Sequence, residues 1–279
     1  MLQKDLSQTL KSRRQMLNEI IEYKKFLIGI KKNRVPLDLL KDSISNLTLR
    51  SITSQMQKKS FIIIAETKKA SPSAGVLKKR YNPGSLAISY EKGGASAISV
   101  LTEDKYFLGS VEHLTIVKQS THLPVVAKDF FIDEYQVYEA KKYGADCILL
   151  ILRILSDEQF ISLFNLATGL GLEVLCEIHN EKEMERFFNI VPNQHNVLLG
   201  INSRDLDTLS INHNSTIRLI SMAKGVKIPV IAESGIKNKN DLLAVYKAGA
   251  KGALIGEYLL RSKSPAMALK KLLQEIENG

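Results

Sequence analysis

The feature that most constrains this chain is a recurrence of short apolar runs that do not alternate with polar residues. They fall at residues 61–65, 96–101, 124–127, 145–152, 172–178, 196–201, 228–232 and 252–255. A strand apolar on both sides is one buried on both faces, as in a parallel sheet covered by helices. Amphipathic stretches lie between the runs, for example 83–93, 133–143 and 238–249. Such alternation predicts βαβ units. A faint internal repeat supports this reading: YEKGGASAISV (90–100), KKYGADCILLI (141–151) and YKAGAKGALIG (246–256) each stop a helix at glycine and open a strand after alanine. The glycine supplies the left-handed conformation that ends a helix. Eight such units predict an α/β fold, a single closed (β/α)8 TIM barrel over 61–279. An open doubly wound sheet is the structural rival, but it usually carries a GxGxxG loop after its first strand, and this chain has none there.

Residues 1–60 are expected to form a helical extension packed on the barrel, so that 1–279 make one domain. Leu6, Leu10, Leu17, Ile20, Ile21, Tyr23, Phe26 and Leu27 follow a mostly helical spacing over 5–32. Asp5 or Ser7 would cap this helix; Gly29 and residues 33–36 would end it. A second, shorter helix is expected over 37–46.

The net charge of +10 is concentrated in the extension: residues 1–60 hold 13 Lys/Arg against 5 Asp/Glu, and the remainder 26 against 24. The basic pairs Arg13-Arg14, Lys24-Lys25 and Lys31-Lys32 are not interleaved with aromatics, so a solvated helix face is preferred to a nucleic-acid surface. No apolar run approaches the roughly 18 residues of a membrane helix. The amino terminus lacks the apolar core of a signal peptide. Cys147 and Cys176 sit in apolar runs and form no CxxC pair, which suits buried, reduced thiols in a cytoplasmic protein.

In a barrel, residues at the carboxyl ends of the strands converge on one mouth. The first run, FIIIAETKKASPSAG (61–75), ends in Glu66 and Lys68, two apart and so on one side of a continuing strand, with Ser71 just beyond. Charges at a buried strand end cost desolvation unless they pair or meet a ligand, so a structural ion pair and an active site are both open here. Later runs break the tie. Lys128 and Asp129 end the third, Glu177 the fifth, Asn202 and Arg204 the sixth, Glu233 and Ser234 the seventh, Gly256 and Glu257 the eighth. Six strands delivering polar groups at equivalent positions predict a site. The loops bring Ser234-Gly235 and Gly256-Glu257, where small residues let backbone N–H groups meet a phosphate at helix amino termini. Lys128 and Lys68 suit general acids, Glu177 or Glu66 a proton acceptor, and Glu233 a counter-charge. No HExxH pair or cysteine cluster is present, and Asp129 has no second carboxylate at metal-ligand spacing. His179 reads as a loop residue opening the next helix. His113, His122, His195 and His213 read as helix or loop residues without partners. No metal and no organic cofactor are expected.

Together these motifs resemble the indole-3-glycerol-phosphate synthase family of tryptophan biosynthesis. The matching stretches are AETKKASPSAG (65–75), AISVLTEDKYFLGS (97–110), PVVAKDFFID (124–133), EVLCEIH (173–179), GINSRDLDTL (200–209), AESGI (232–236) and ALIGEYLL (253–260). The resemblance implies a carboxy-lyase that closes the indole ring of a phosphorylated, anthranilate-derived substrate. It implies Lys128 as the acid on the ketone, Lys68 as a second acid or substrate clamp, and Glu177 as base or proton shuttle. By the same resemblance Glu66, Asn202 and Glu233 orient substrate and lysines. Ser71, Arg204, Ser234, Gly235, Gly256 and Glu257 match substrate- or phosphate-contacting positions, and Phe107, Phe130, Leu149 and Leu206 match the lining around the aromatic ring. Two departures stand out: Ser203 where the family usually has asparagine, and Ala74 where it usually has lysine. The expected partner is that small molecule alone, with no nucleic acid and no membrane, and with the protein a monomer or weak homo-oligomer lacking a fused isomerase domain. One rival is an isomerase barrel like phosphoribosylanthranilate isomerase, which needs a cysteine at the mouth, where neither Cys147 nor Cys176 is expected. A non-catalytic basic scaffold is the other.

Overall fold

In the computed structural model the described residues are 2–44, 48–191, 196–205 and 210–277, with side chains described from Met16 to Ile276. The apolar runs form strands β1 (Ile62–Thr67), β2 (Ala97–Leu101), β3 (Val125–Lys128), β4 (Cys147–Ile151), β5 (Glu173–Ile178), β6 (Val197–Asn202), β7 (Val230–Glu233) and β8 (Gly252–Ile255). All pair in parallel in chain order, and β8 returns to β1 to close the barrel. The open-sheet alternative is therefore excluded.

Strand parity explains the sequence. Ile62, Ile64, Ala97, Val126, Cys147, Leu149, Leu175, Leu198, Ile231 and Leu254 fill the barrel interior in one cluster. Their neighbours, among them Ile63, Ile98, Val100, Ile148, Val174, Cys176, Leu199 and Ile255, pack outward against the helices. Because side chains alternate along a strand, Glu66, Lys128, Glu177, Asn202 and Glu233 continue the interior set at its carboxyl end.

Ahead of the barrel come helices α1 (Leu2–Arg34), α2 (Leu37–Asp42) and α3 (Ile52–Lys58). α3 stoppers the amino-terminal end: Ile52 is fully buried, and the Glu173 carboxylate accepts hydrogen bonds from the Ile52 N–H (2.6 Å) and the Ser51 hydroxyl (2.8 Å). An anion at a helix amino terminus is favourable. α1 crosses the opposite end, with Ile20 packed into the interior cluster and Met16 and Leu17 beside it.

Several local expectations are corrected. α1 starts at Leu2, not at a cap on Asp5 or Ser7, and it runs through Gly29. Glycine in a helix costs only about 1 kcal/mol, and it is Pro36 that forbids continuation. α2 stops at Asp42, and residues 45–47 lie outside the described set. The loop after β1 contains a small antiparallel pairing of Ala70–Ser71 with Gly75–Val76. The basic face of α1 is not simply solvated. Lys24 is 2.7 Å from Asp129, Lys31 2.7 Å from Glu139 and Lys32 2.8 Å from Asp133. These lysines tie α1 to the barrel. Among the described residues, no helix is long and apolar enough to cross a membrane.

Candidate active site

A cavity of about 570 Å³ opens at the carboxyl end of the strands, within the range of small-molecule sites. Glu66 and Lys68 line it from β1 and its loop, with Ser71 beside them. They form an ion pair, so the two readings of this strand end coincide: the pair exists, and it faces the cavity. Lys128 enters from β3, Glu177 from β5, Asn202 from the end of β6 and Arg204 from just beyond it. Glu233 is absent from the lining; it lies beneath Lys128, almost fully buried.

Lys128 is the centre of the charge arrangement. Its Nζ is 2.6 Å from Glu233 Oε2 and 3.5 Å from Glu177 Oε2. Burial lowers the pKa of the ammonium, yet Glu233, Glu177 and Glu66 outweigh burial and raise it. Burial pushes the Glu177 carboxyl up, but Lys128, His179 and a hydrogen bond from Asn202 hold it below the usual range. Glu233 goes the other way, raised by burial and by the nearby Glu177 charge despite Lys128. Two carboxyl groups share one lysine, and their environments drive their pKa values apart. Divergent pairs of this kind mark acid–base sites.

Two glycines make room for this cluster. A Cβ on Gly200 would overlap Glu233 Oε1, and one on Gly256 would overlap Glu66 Oε1. Small residues thus face large charged ones on neighbouring strands.

At one end of the cavity, Ser234 (φ 63°) and Gly235 (φ 77°) take successive left-handed conformations after β7. A non-glycine residue there is strained, and such strain gathers at functional turns. Gly235 is also confined: a Cβ would come within 2.7 Å of the His213 ring. Gly256 and Glu257 lie alongside, with Lys237 and Arg261 adding cationic groups that the sequence reading missed. The Glu257 carboxylate is occupied by Arg261 at 2.8 Å, which leaves its backbone rather than its side chain for an anion. At the other end, Phe107 and Phe130 face each other with ring centroids 6.4 Å apart, and Leu149 lies in the same wall. Met16, Leu17 and Ile20 of α1 complete this apolar side, a contribution the sequence reading did not assign to the site. Leu206 lies outside the described residues.

Other groups were missed or misread. Glu103, fully buried, accepts the backbone N–H groups of Lys105, Tyr106 and Phe107 at 3.1, 2.7 and 2.8 Å, which fixes the loop carrying Phe107. Asp129 takes Lys24 and the Thr102 hydroxyl (2.7 Å), so it holds α1 to β2 and β3. His179 is no simple loop residue; its buried ring lies between Glu177 and Glu183. His113 also has a neighbour, packing edge-on against Tyr81. His195 is outside the described residues. The departure at Ser203 has a local account: its hydroxyl donates to the Glu233 backbone carbonyl at 3.1 Å, bracing the strand that carries Glu233. At Ala74 the backbone N–H reaches the Ser71 hydroxyl at 3.2 Å. Both cysteines are fully buried, away from the cavity. Among the described residues, no group of three or more His, Cys, Asp or Glu is arranged to hold a metal.

The family model for indole-3-glycerol phosphate synthase matches residues 17–272. A protein named indole-3-glycerol phosphate synthase from Campylobacter fetus subsp. fetus is 40% identical over 262 residues, covering 93% of this chain and all of the relative. One of the same name from Carboxydothermus hydrogenoformans is 39% identical, covering 92% of this chain and 99% of its own. Among solved structures, the tryptophan synthase alpha chain from Legionella pneumophila superposes with a TM-score of 0.60 at 16% identity, over 83% of this chain and 98% of that one. At that identity the likeness speaks for the barrel alone.

Proposed function

The chain belongs to the indole-3-glycerol phosphate synthase family, and on that premise we propose how its barrel mouth performs the ring closure. The reaction converts 1-(2-carboxyphenylamino)-1-deoxyribulose 5-phosphate to indole-3-glycerol phosphate, CO₂ and water. It is a carboxy-lyase step of tryptophan biosynthesis. The carboxylate-bearing ring carbon attacks the ketone, and the carbonyl oxygen needs a proton as it becomes an alkoxide. Loss of CO₂ restores the aromatic ring. The new hydroxyl then leaves as water while a proton is lost from the adjacent carbon.

Lys128 supplies the first proton. Its surrounding carboxylates keep it charged, and a developing alkoxide is basic enough to take a proton even from so firmly held an ammonium. Glu177, held ionised, accepts the proton lost during dehydration. Lys68, paired with Glu66, assists the departing hydroxyl. Asn202 and Glu233 orient these groups. The phosphate lies against the Ser234–Gly235 turn and the Gly256–Glu257 backbone, with Ser71 and Arg204 on the substrate. The aromatic ring lies between Phe107, Phe130 and Leu149, with Leu206 assigned by family resemblance. The observation that carries this reading is Lys128 standing between Glu233 and Glu177 within the cavity.

No cofactor or metal enters the scheme. The protein works on a small phosphorylated molecule, in the cytoplasm, as a monomer or weak homo-oligomer, without nucleic acid or membrane. Purified protein should form the fluorescent indole product from this substrate at the same rate in chelator as in buffer. Absence of product from folded protein would overturn the assignment.

A further inference from the structure

His179 follows the last residue of β5 and shares the parity of Glu177, so the two side chains leave the strand end on one side. Its ring is 2% exposed. Nε2 lies 3.1 Å from Glu177 Oε1, and Nδ1 lies 3.1 Å from Glu183 Oε2. The backbone N–H of His179 donates to that same Glu183 oxygen at 2.8 Å. Glu183 Oε1 is held in turn by Asn180 Nδ2 (2.7 Å) and Arg153 Nε (3.0 Å), and Arg153 reaches Asp205 at 3.2 Å. The Nε2 contact is an ion pair rather than an aligned hydrogen bond.

This geometry divides the two oxygens of Glu177 between two jobs. Oε1 is taken by the imidazole, whereas Oε2 faces Lys128 across 3.5 Å. His179 itself does not line the cavity, so it does not meet the substrate.

We propose that His179 is a positioning residue for Glu177: clamped between Glu177 and Glu183, it keeps the Glu177 carboxylate ionised and holds one oxygen away from the cavity groups, so that the other is presented toward Lys128 for proton transfer. A neutral imidazole has a single N–H and could serve one carboxylate; only the cation serves both. Burial lowers the pKa of His179, but its close contacts with the Glu177 and Glu183 carboxylates and their charges outweigh burial and hold it up at about 9. The groups facing Glu177 are His179 from its own strand end, Lys128 from β3, Asn202 from β6 and Glu233 from β7, whose own carboxyl is raised by burial and by its contact with Glu177. Those facing His179 are Glu177 and Glu183. Without the imidazolium, Lys128 would be the main charge opposing the burial of Glu177, while Glu233 also draws on that lysine.

The inference rests on Glu177 as the proton acceptor, so the test separates the two. In His179→Gln, kcat at neutral pH should fall about tenfold or more with KM within a few-fold, and the acid limb of the kcat profile should rise by about one pH unit or more. Ring-nitrogen NMR of unsubstituted protein should find His179 doubly protonated at pH 7, with a pKa that drops in Glu177→Gln. This second measurement stands even if His179→Gln folds poorly. A neutral His179 ring at pH 7, or a folded His179→Gln with an unmoved profile while Glu177→Gln is inactive, overturns the clamp alone. Full turnover in Glu177→Gln overturns the acceptor assignment and the clamp with it.

Discussion

Gly200 on β6 faces the carboxylate of Glu233 on β7 so closely that a methyl group in its place would overlap Glu233 Oε1. The absent side chain is therefore part of how Lys128 is held, since Glu233 Oε2 is the partner at 2.6 Å. Gly200→Ala should displace Glu233, destabilise the fold by about 1–3 kcal/mol through overpacking, and lower kcat more than it changes KM. Thermal melts with steady-state kinetics check this. An alanine variant with unaltered turnover would mean that the seat of Glu233 does not matter.

The strap between α1 and the barrel gives a second expectation. Lys24 is buried against Asp129, which also takes the Thr102 hydroxyl and the Phe130 N–H. Removing one member of a buried ion pair strands the other, at a cost of about 3–5 kcal/mol. Lys24→Met should lose that much stability and loosen the α1 wall of the cavity, raising KM. Lys24→Met with Asp129→Asn should recover part of the loss, and denaturant titration of the single and double variants measures the coupling.

The pH dependence of stability follows from His179. Its folded pKa, about 9, is raised above the unfolded value near 6.5. The contribution is therefore fully present below about pH 6.5 and is lost as pH rises through about 9. Its size is up to roughly 3 kcal/mol at 1.36 kcal/mol per unit. Unfolding free energies at pH 6.5 and pH 9.5 should differ more in the unsubstituted protein than in His179→Gln. Equal differences would mean that the ring is not charged in the folded state.

The barrel and most of its mouth were legible because burial on both strand faces leaves a charged residue conspicuous. Glu66, Lys128, Glu177 and Glu233 each end an apolar run on the interior parity, and desolvation makes such placement costly without a purpose. Gly200 carried no such signal, since its meaning depends on which side chain the neighbouring strand presents. Lys24 and Lys31 resembled a solvated face because their acidic partners, Asp129 and Glu139, lie more than a hundred residues away. Glu103 accepts backbone N–H groups, which no pattern of side-chain types reveals. His179 was readable in principle: its two-residue offset from Glu177 puts both on one side, the rule that had already joined Glu66 to Lys68.

The most direct test is turnover by Lys128→Met and Glu177→Gln, each compared with the unsubstituted protein on the same substrate and at the same temperature. Both side chains meet the cavity and neither substitution alters much volume. The Glu233 carboxyl, already raised by burial, can take up a proton when Lys128 is removed. The variants, checked by thermal melts, should therefore stay folded and bind substrate within a few-fold. Loss of a positioned acid or base should cost about 10²–10⁴ in kcat. Near-normal kcat in either folded variant would contradict the account of proton transfer at this barrel mouth.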